Sequence, residues 1–186
     1  MPVLNCGDYF CRMSVFQLAR SGAQTPGMHI KFLWVGKTKN SSIQSLLSDY
    51  LERIRHLVPC EVIEARDISR RRSLRDAERI AREGDELTRH IPESGRLVAL
   101  DETGTQYTSE NFARWLQSEQ NTGVRAITFV IGGPEGLAPV ISRKAHLVLS
   151  MGKMTWTHEM CRVLLLEQVY RALCIMRNIP YHKGGS

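Results

Sequence analysis

An α/β fold, built on a largely parallel sheet with helices on both faces, is what this sequence predicts, and three observations carry the expectation. Short apolar runs alternate with longer stretches in which apolar residues recur every three or four positions. The short runs are apolar almost without interruption, as in strands covered on both faces. Glycines follow several of them, where a strand would end and a loop begin.

In chain order, 28–36 (MHIKFLWVG) reads as a buried strand stopped by Gly36. A helix follows to about His56. Ser41 or Ser42 can cap it, and Ile43, Leu46, Leu47, Tyr50, Leu51 and Ile54 make one apolar stripe. Residues 60–65 form a short second strand. From 72 to 90 a helical period runs through Leu74, Ala77, Ile80, Ala81 and Leu87, while nearly every other position is charged, so this helix is expected to be only half covered. Gly95 ends a turn and 96–101 (RLVALD) is the third strand. Ser109 then caps a helix carrying Phe112, Trp115 and Leu116, which Gly123 breaks. The strongest buried-strand signal is 127–133 (ITFVIGG). A short helix separates it from a fifth strand at 145–150 (AHLVLS), and a long apolar-faced helix over 159–176 ends the pattern.

The 186 residues are 42% hydrophobic and 24% charged, an ordinary globular usage that excludes collagen-like, low-complexity and disordered classes. One domain from Met28 to the end is expected, with no internal repeat or linker. Residues 1–27 have no sustained period and end in SGAQTPG. They read as a disordered extension or an over-extended reading frame, with an amphipathic targeting peptide as the competing account; Asp8 and Arg12 interrupt the apolar core that a secretory signal needs. Almost all of the net charge of +6 comes from the residues after them, which makes a polyanionic partner plausible. Five cysteines without a C-x-x-C pair argue against a disulfide framework or zinc ribbon and for a reducing, cytoplasmic setting. Charged residues interrupt every apolar stretch before it reaches the roughly 18 to 20 residues of a membrane helix, so no membrane association is expected.

In open parallel sheets the ligand crevice lies beyond the carboxyl ends of the strands. Three glycine-bearing segments fall there: 100–104 (LDETG), 131–136 (IGGPEG) and 150–156 (SMGKMTW). Together they suit a small flat or folded cofactor held by peptide groups, although one such loop alone is explained by glycine ending a strand. IGGPEG has neither the G-K-[ST] ending of a phosphate loop nor G-x-G-x-x-G spacing. His158-Glu159 is followed by Arg162 where a zinc-protease helix would place its second histidine, so no metal site is expected. His158 begins the last helix, Arg162 lies four residues on along the same face, and Tyr181-His182-Lys183 closes the chain. Plainer accounts exist for two of these: a helix cap for His158 and a solvated charge for Arg162.

In that order and spacing, MHIKFLWVGKTK, VALDETG, FVIGGPEGL, LSMGKMTWTHEMCRVLLLEQVYRA and PYHK resemble the RlmH family of SPOUT-class methyltransferases, over nearly all of 28–186. The resemblance implies an α/β fold whose C-terminal segment is threaded as a trefoil knot, a rare exception to the rule against knots. It also implies a homodimer that uses S-adenosylmethionine to methylate N3 of a pseudouridine in a hairpin loop of large-subunit (23S) ribosomal RNA, at the subunit interface of the ribosome. Carried over by position, it assigns the cofactor to Leu100, Gly132, Met151, Gly152, Lys153, Met154, Thr155 and Trp156, and places His158, Arg162, Tyr181 and His182 near the target base. The family usually has proline where this chain has Thr157, whose hydroxyl is expected to cap the helix in place of the ring's rigidity.

Within that reading, N3 is a poor nucleophile until its proton leaves. Arg162 is expected to stabilise the anion on a flanking carbonyl, and either His158 or His182 to receive the proton. Trp156 and the face Leu164, Leu165, Leu166 and Val169 are candidates for the dimer interface, though a buried core explains the same residues. The basic stretch holding Arg70, Arg71, Arg72 and Arg75 suits the RNA backbone; the interleaved Asp76, Glu78 and Glu83 also allow a solvated helix start. The rival function is a non-catalytic ribosome-binding module on the same scaffold, with an unrelated nucleotide-binding α/β enzyme as a third.

Overall fold

A computed structural model describes residues 27–68 and 75–181. Arg70, Arg71, Arg72 and His182 lie outside the described residues, as does nearly all of the segment ahead of Met28. The elements follow the expected alternation: β1 (His29–Val35), α1 (Ser41–Arg55), β2 (Cys60–Ala65), α2 (Asp76–Thr88), β3 (Arg96–Gln106), α3 (Ser109–Asn121), β4 (Ala126–Ile131), α4 (Pro139–Lys144), β5 (Leu147–Ser150) and α5 (His158–Met176). The five strands form one sheet in the order β2-β1-β4-β3-β5, and every pairing is parallel.

The period-two alternation of strand side chains divides the core in two. Ile30, Phe32, Trp34, Val98, Ile127 and Phe129 face α1, α3 and α5, whereas Leu33, Val35, Leu97, Ala99 and Val130 face α2 and α4. Phe32 stacks on Phe129 at 5.8 Å between ring centroids, joining β1 to β4 at the centre. Leu165, Leu166 and Val169 of α5 have no exposure, so they belong to this chain's own core and are not open to a dimer partner.

Local chemistry moves several boundaries. Asn40, not Ser41 or Ser42, caps α1 by accepting from the Ile43 amide at 3.1 Å. Thr108, not Ser109, caps α3 through the Asn111 amide at 3.2 Å. Both shifts arise because adjacent short polar side chains compete for the same amides. Ala77 and Ala81 are exposed, and the covered face of α2 is Glu83, Gly84 and Leu87. β3 resumes beyond the expected end: after a register shift between Leu100 and Thr105, Thr105 and Gln106 pair with Leu149 and Ser150. The intervening 101–104 segment bulges out at the carboxyl edge of the sheet. No helix among the described residues is long and apolar enough to cross a membrane.

Candidate active site

The three glycine-bearing loops converge. The segments after β3, β4 and β5, with the first turn of α5, enclose a cavity of about 490 Å³. Each wall has a local cause. Asp101 folds the first loop by accepting from the Thr103 amide at 2.9 Å and hydroxyl at 2.6 Å. The second loop is a tight turn in which the Gly136 amide donates to the Gly133 carbonyl at 3.0 Å. In the third, the Ser150 hydroxyl accepts from the Gly152 amide at 3.2 Å and donates to its carbonyl at 3.0 Å. Thr155 ties the third loop to the first by donating to Glu102 at 3.2 Å. Gly132 is required by a close approach: a β-carbon there would lie 2.8 Å from the Leu137 nitrogen and closer still to the Gly136 carbonyl, all of it backbone.

Leu100, Gly132, Met151, Gly152, Met154, Thr155 and Trp156 line this cavity, while Lys153 sits in the same loop with an exposed side chain outside the wall. Met154 is 74% and Trp156 41% exposed at its mouth. Asp101, Glu102 and Glu135 also line it. Sequence reasoning did not single out these acids, which carry no motif of their own and meet only through the loop geometry. Among the described residues no group of His, Cys, Asp and Glu is arranged to hold a metal ion.

His158 stands in the cavity wall as the first residue of α5. It is not the cap. Thr157 caps α5, accepting from the Met160 amide at 3.3 Å, as expected of a substitute for proline. Partial burial and the nearby positive charge of Arg162 lower the His158 pKa, with Glu159 opposing. The imidazole is therefore neutral at neutral pH and able to accept a proton.

Arg162 is neither solvated nor open to the cavity; its exposure is 0%. One terminal nitrogen donates to the Thr38 hydroxyl at 2.7 Å, the other to the Val35 carbonyl at 2.6 Å, and the guanidinium lies 5.0 Å from the centre of the Trp34 ring. Glu159 adds a second tie, accepting from the Lys39 amide at 2.8 Å. Burial alone would raise the Glu159 pKa, yet the Lys39 and Asn40 amides and the charges of Arg162 and His158 hold it below the ordinary carboxylate value. Arg162 and Glu159 thus clamp the segment after β1 against the start of α5. Reaching a base at the cavity would require Arg162 to release both bonds.

Tyr181 is placed elsewhere. Its ring packs edge-on against Tyr170 at 4.7 Å, with Arg171 at 5.0 Å, and its hydroxyl meets Glu167 at 3.3 Å. Those partners lie nine to thirteen residues along α5 from His158, or roughly 14 to 20 Å at about 1.5 Å per residue. A single chain therefore does not assemble Tyr181 with His158. Arg75 is exposed at the N-cap of α2 without a side-chain capping bond.

A family model described as "Predicted SPOUT methyltransferase" matches residues 28–182. Among curated proteins, the ribosomal RNA large subunit methyltransferase H of Geobacter sulfurreducens is 41% identical over 155 residues, covering 83% of this chain and 99% of that protein. The protein of the same name from Flavobacterium johnsoniae is 36% identical over the same shares. Two solved structures share the fold: a probable methylase family protein from Haemophilus influenzae Rd KW20 (TM-score 0.52, 14% identity, 82% of this chain and 69% of that one) and a probable methyltransferase from Bordetella pertussis Tohama I (TM-score 0.51, 12% identity, 80% and 98%).

Proposed function

Because the chain belongs to the SPOUT methyltransferase family, we propose that its cavity holds S-adenosylmethionine and that it methylates N3 of a pseudouridine in a hairpin loop of large-subunit ribosomal RNA, in the assembled ribosome. The carrying observation is the cavity that three loops build at the carboxyl ends of β3, β4 and β5. Its residues fit this cofactor. Gly132, Gly133, Gly136 and Gly152 in the lining leave peptide groups, not side chains, to grip the adenine and the methionine arm, and Asp101 and Glu102 give the wall a charge complementary to a cationic ligand. The bound cofactor supplies an activated methyl group on a sulfonium.

The chain's own residues do the rest. The loops hold and orient the cofactor, and orientation accounts for much of the rate. His158, neutral and in the cavity wall, receives the N3 proton of the base. Its depressed pKa keeps it neutral to lower pH than an ordinary histidine, so the acidic limb of the pH–rate profile is expected below about 6.5 and to disappear in His158→Ala. Arg162 acts by positioning the start of α5. A homodimer accounts for the separation of Tyr181 from His158 within one chain, since a second copy can bring its own C-terminal residues to the cavity. The exposed Trp156 and the partly exposed Leu164 are the remaining candidates for that contact. The trefoil threading belongs to the same reading, and Arg70, Arg71, Arg72 and Arg75 are assigned to the RNA backbone.

Calorimetric titration tests the cofactor assignment. One molecule of S-adenosylmethionine is expected to bind per chain; no heat of binding at any pH from 6 to 8 would contradict it.

A further inference from the structure

Behind the cavity wall lies a carboxyl group that the proposed mechanism does not use. Glu83 of α2 is only 2% exposed, and among the described residues neither of its carboxyl oxygens has a hydrogen-bond partner. It presses on the second cavity loop without itself lining the cavity: a β-carbon on Gly133 would lie 2.5 Å from a Glu83 oxygen. Gly133 does line the cavity, so one glycine turn separates this acid from it.

The charges around Glu83 are mixed. From the loop after β4 comes Glu135, which is engaged in an ion pair with Arg79 of α2. From the segment after β2 comes Asp67. Beside Gly84, the next residue of α2, lie the apolar Ala138 and Val140. Burial first, then the negative charges of Glu135 and Asp67, raise the Glu83 pKa to about 7, with Arg79 opposing. Glu83 is thus divided between its acid and carboxylate forms at neutral pH, in a place where solvent screens its charge poorly.

Resting on the cofactor reading above, we infer that Glu83 is a specificity-determining positioning residue which, through the Gly133 turn, favours the positively charged methyl donor over the spent product. The donor carries a sulfonium; after transfer the same sulfur is an uncharged thioether. A cation bound across the turn stabilises the Glu83 carboxylate, so donor binding drives the Glu83 proton out to solvent. The product, with no charge on sulfur, lacks that pull. Exchange of product for donor is thereby favoured at each turnover, and more so as pH rises through 7.

The test is calorimetric titration of the full chain with S-adenosylmethionine and with S-adenosylhomocysteine, at pH 6, 7 and 8, in phosphate and in Tris to count protons released. For the wild type, donor binding is expected to release a proton fraction near pH 7 that product binding does not, and donor affinity to be about fivefold higher at pH 8 than at pH 6 for a one-unit fall in the Glu83 pKa. The sulfonium makes the donor's α-amino group more acidic than the product's, so that contribution is removed by comparing wild type with Glu83→Gln for the same ligand. In Glu83→Gln, which keeps the shape and removes the proton, the donor's proton release near pH 7 is expected to fall and its pH slope to lose the fivefold that Glu83 supplies. His158 also faces the cavity, so a release and slope unchanged in Glu83→Gln would overturn the inference and assign the linkage to His158 and the ligand. Equal proton release for donor and product in the wild type would overturn it without recourse to any variant. Failure of the donor to bind at every pH would instead remove the cofactor reading beneath it.

Discussion

Replacing Arg162 by alanine is expected to lower folding stability by about 3 to 5 kcal/mol, read as a fall in the urea unfolding midpoint. The Val35 carbonyl and the Thr38 hydroxyl would each lose a donor, at a site where Arg162 has no exposure in the wild type. The space beneath Trp34 would also open, since the guanidinium packs against that ring. Burial lowers the Arg162 pKa, and Glu159, Glu64 and Asp67 act the other way, so the site tolerates a charge through its surroundings without a direct carboxylate partner. Lysine at 162 is expected to recover only part of the loss, because one ammonium does not reproduce a two-pronged fork. A wild-type midpoint for Arg162→Ala would show that the guanidinium does not hold the segment after β1. A normal midpoint with lost turnover would return Arg162 to direct contact with the base.

The second large effect is at Gly132. Alanine there forces its β-carbon into the backbone of Gly136 and Leu137, and no flexible side chain is available to yield. Relief requires the turn closed by the Gly136 amide to open, which deforms the cavity wall. About 3 kcal/mol of such strain corresponds to roughly a hundredfold loss of S-adenosylmethionine affinity. Gly123→Ala serves as the control: unlike Gly132, Gly123 has a positive φ, and a β-carbon there would meet nothing within 4 Å, at the end of α3 and away from the cavity. It is expected to cost stability alone. Equal cofactor affinity in Gly132→Ala and wild type would show that the turn does not form the binding wall.

Much of the architecture was legible because its causes are local. Continuous apolar runs place the five strands and three-and-four stripes place α1, α3 and α5, and glycine punctuation marks the loops that meet at the cavity. What was not legible depends on partners distant in sequence. The return of β3 at Thr105 and Gln106 is created by the backbone of β5, and the polar string 101–104 carries no strand signal. Arg162 in an apolar helix hints at an interior charge, but its acceptors lie more than a hundred residues away. Glu83 did leave a trace: it falls between Ile80 and Leu87 in the covered stripe of a helix otherwise charged all round, where an apolar residue would be the default. Tyr181 is a case in which one chain alone does not bring the expected residues together. Resemblance places it near the target base, whereas within this chain its ring belongs to a cluster with Tyr170 and Arg171, well along α5 from His158.

The function rests on methyl transfer, and label transfer tests it most directly. The full chain is to be incubated with S-adenosylmethionine carrying a labelled methyl group and with ribosomes from a strain that lacks this modification, followed by mass spectrometry of the digested large-subunit RNA. The expected result is label on N3 of one pseudouridine, and none when Gly132→Ala replaces the wild type. Unlabelled RNA from a chain that binds both the cofactor and the ribosome would contradict the account and identify the protein as a ribosome-binding module that keeps the scaffold without its chemistry.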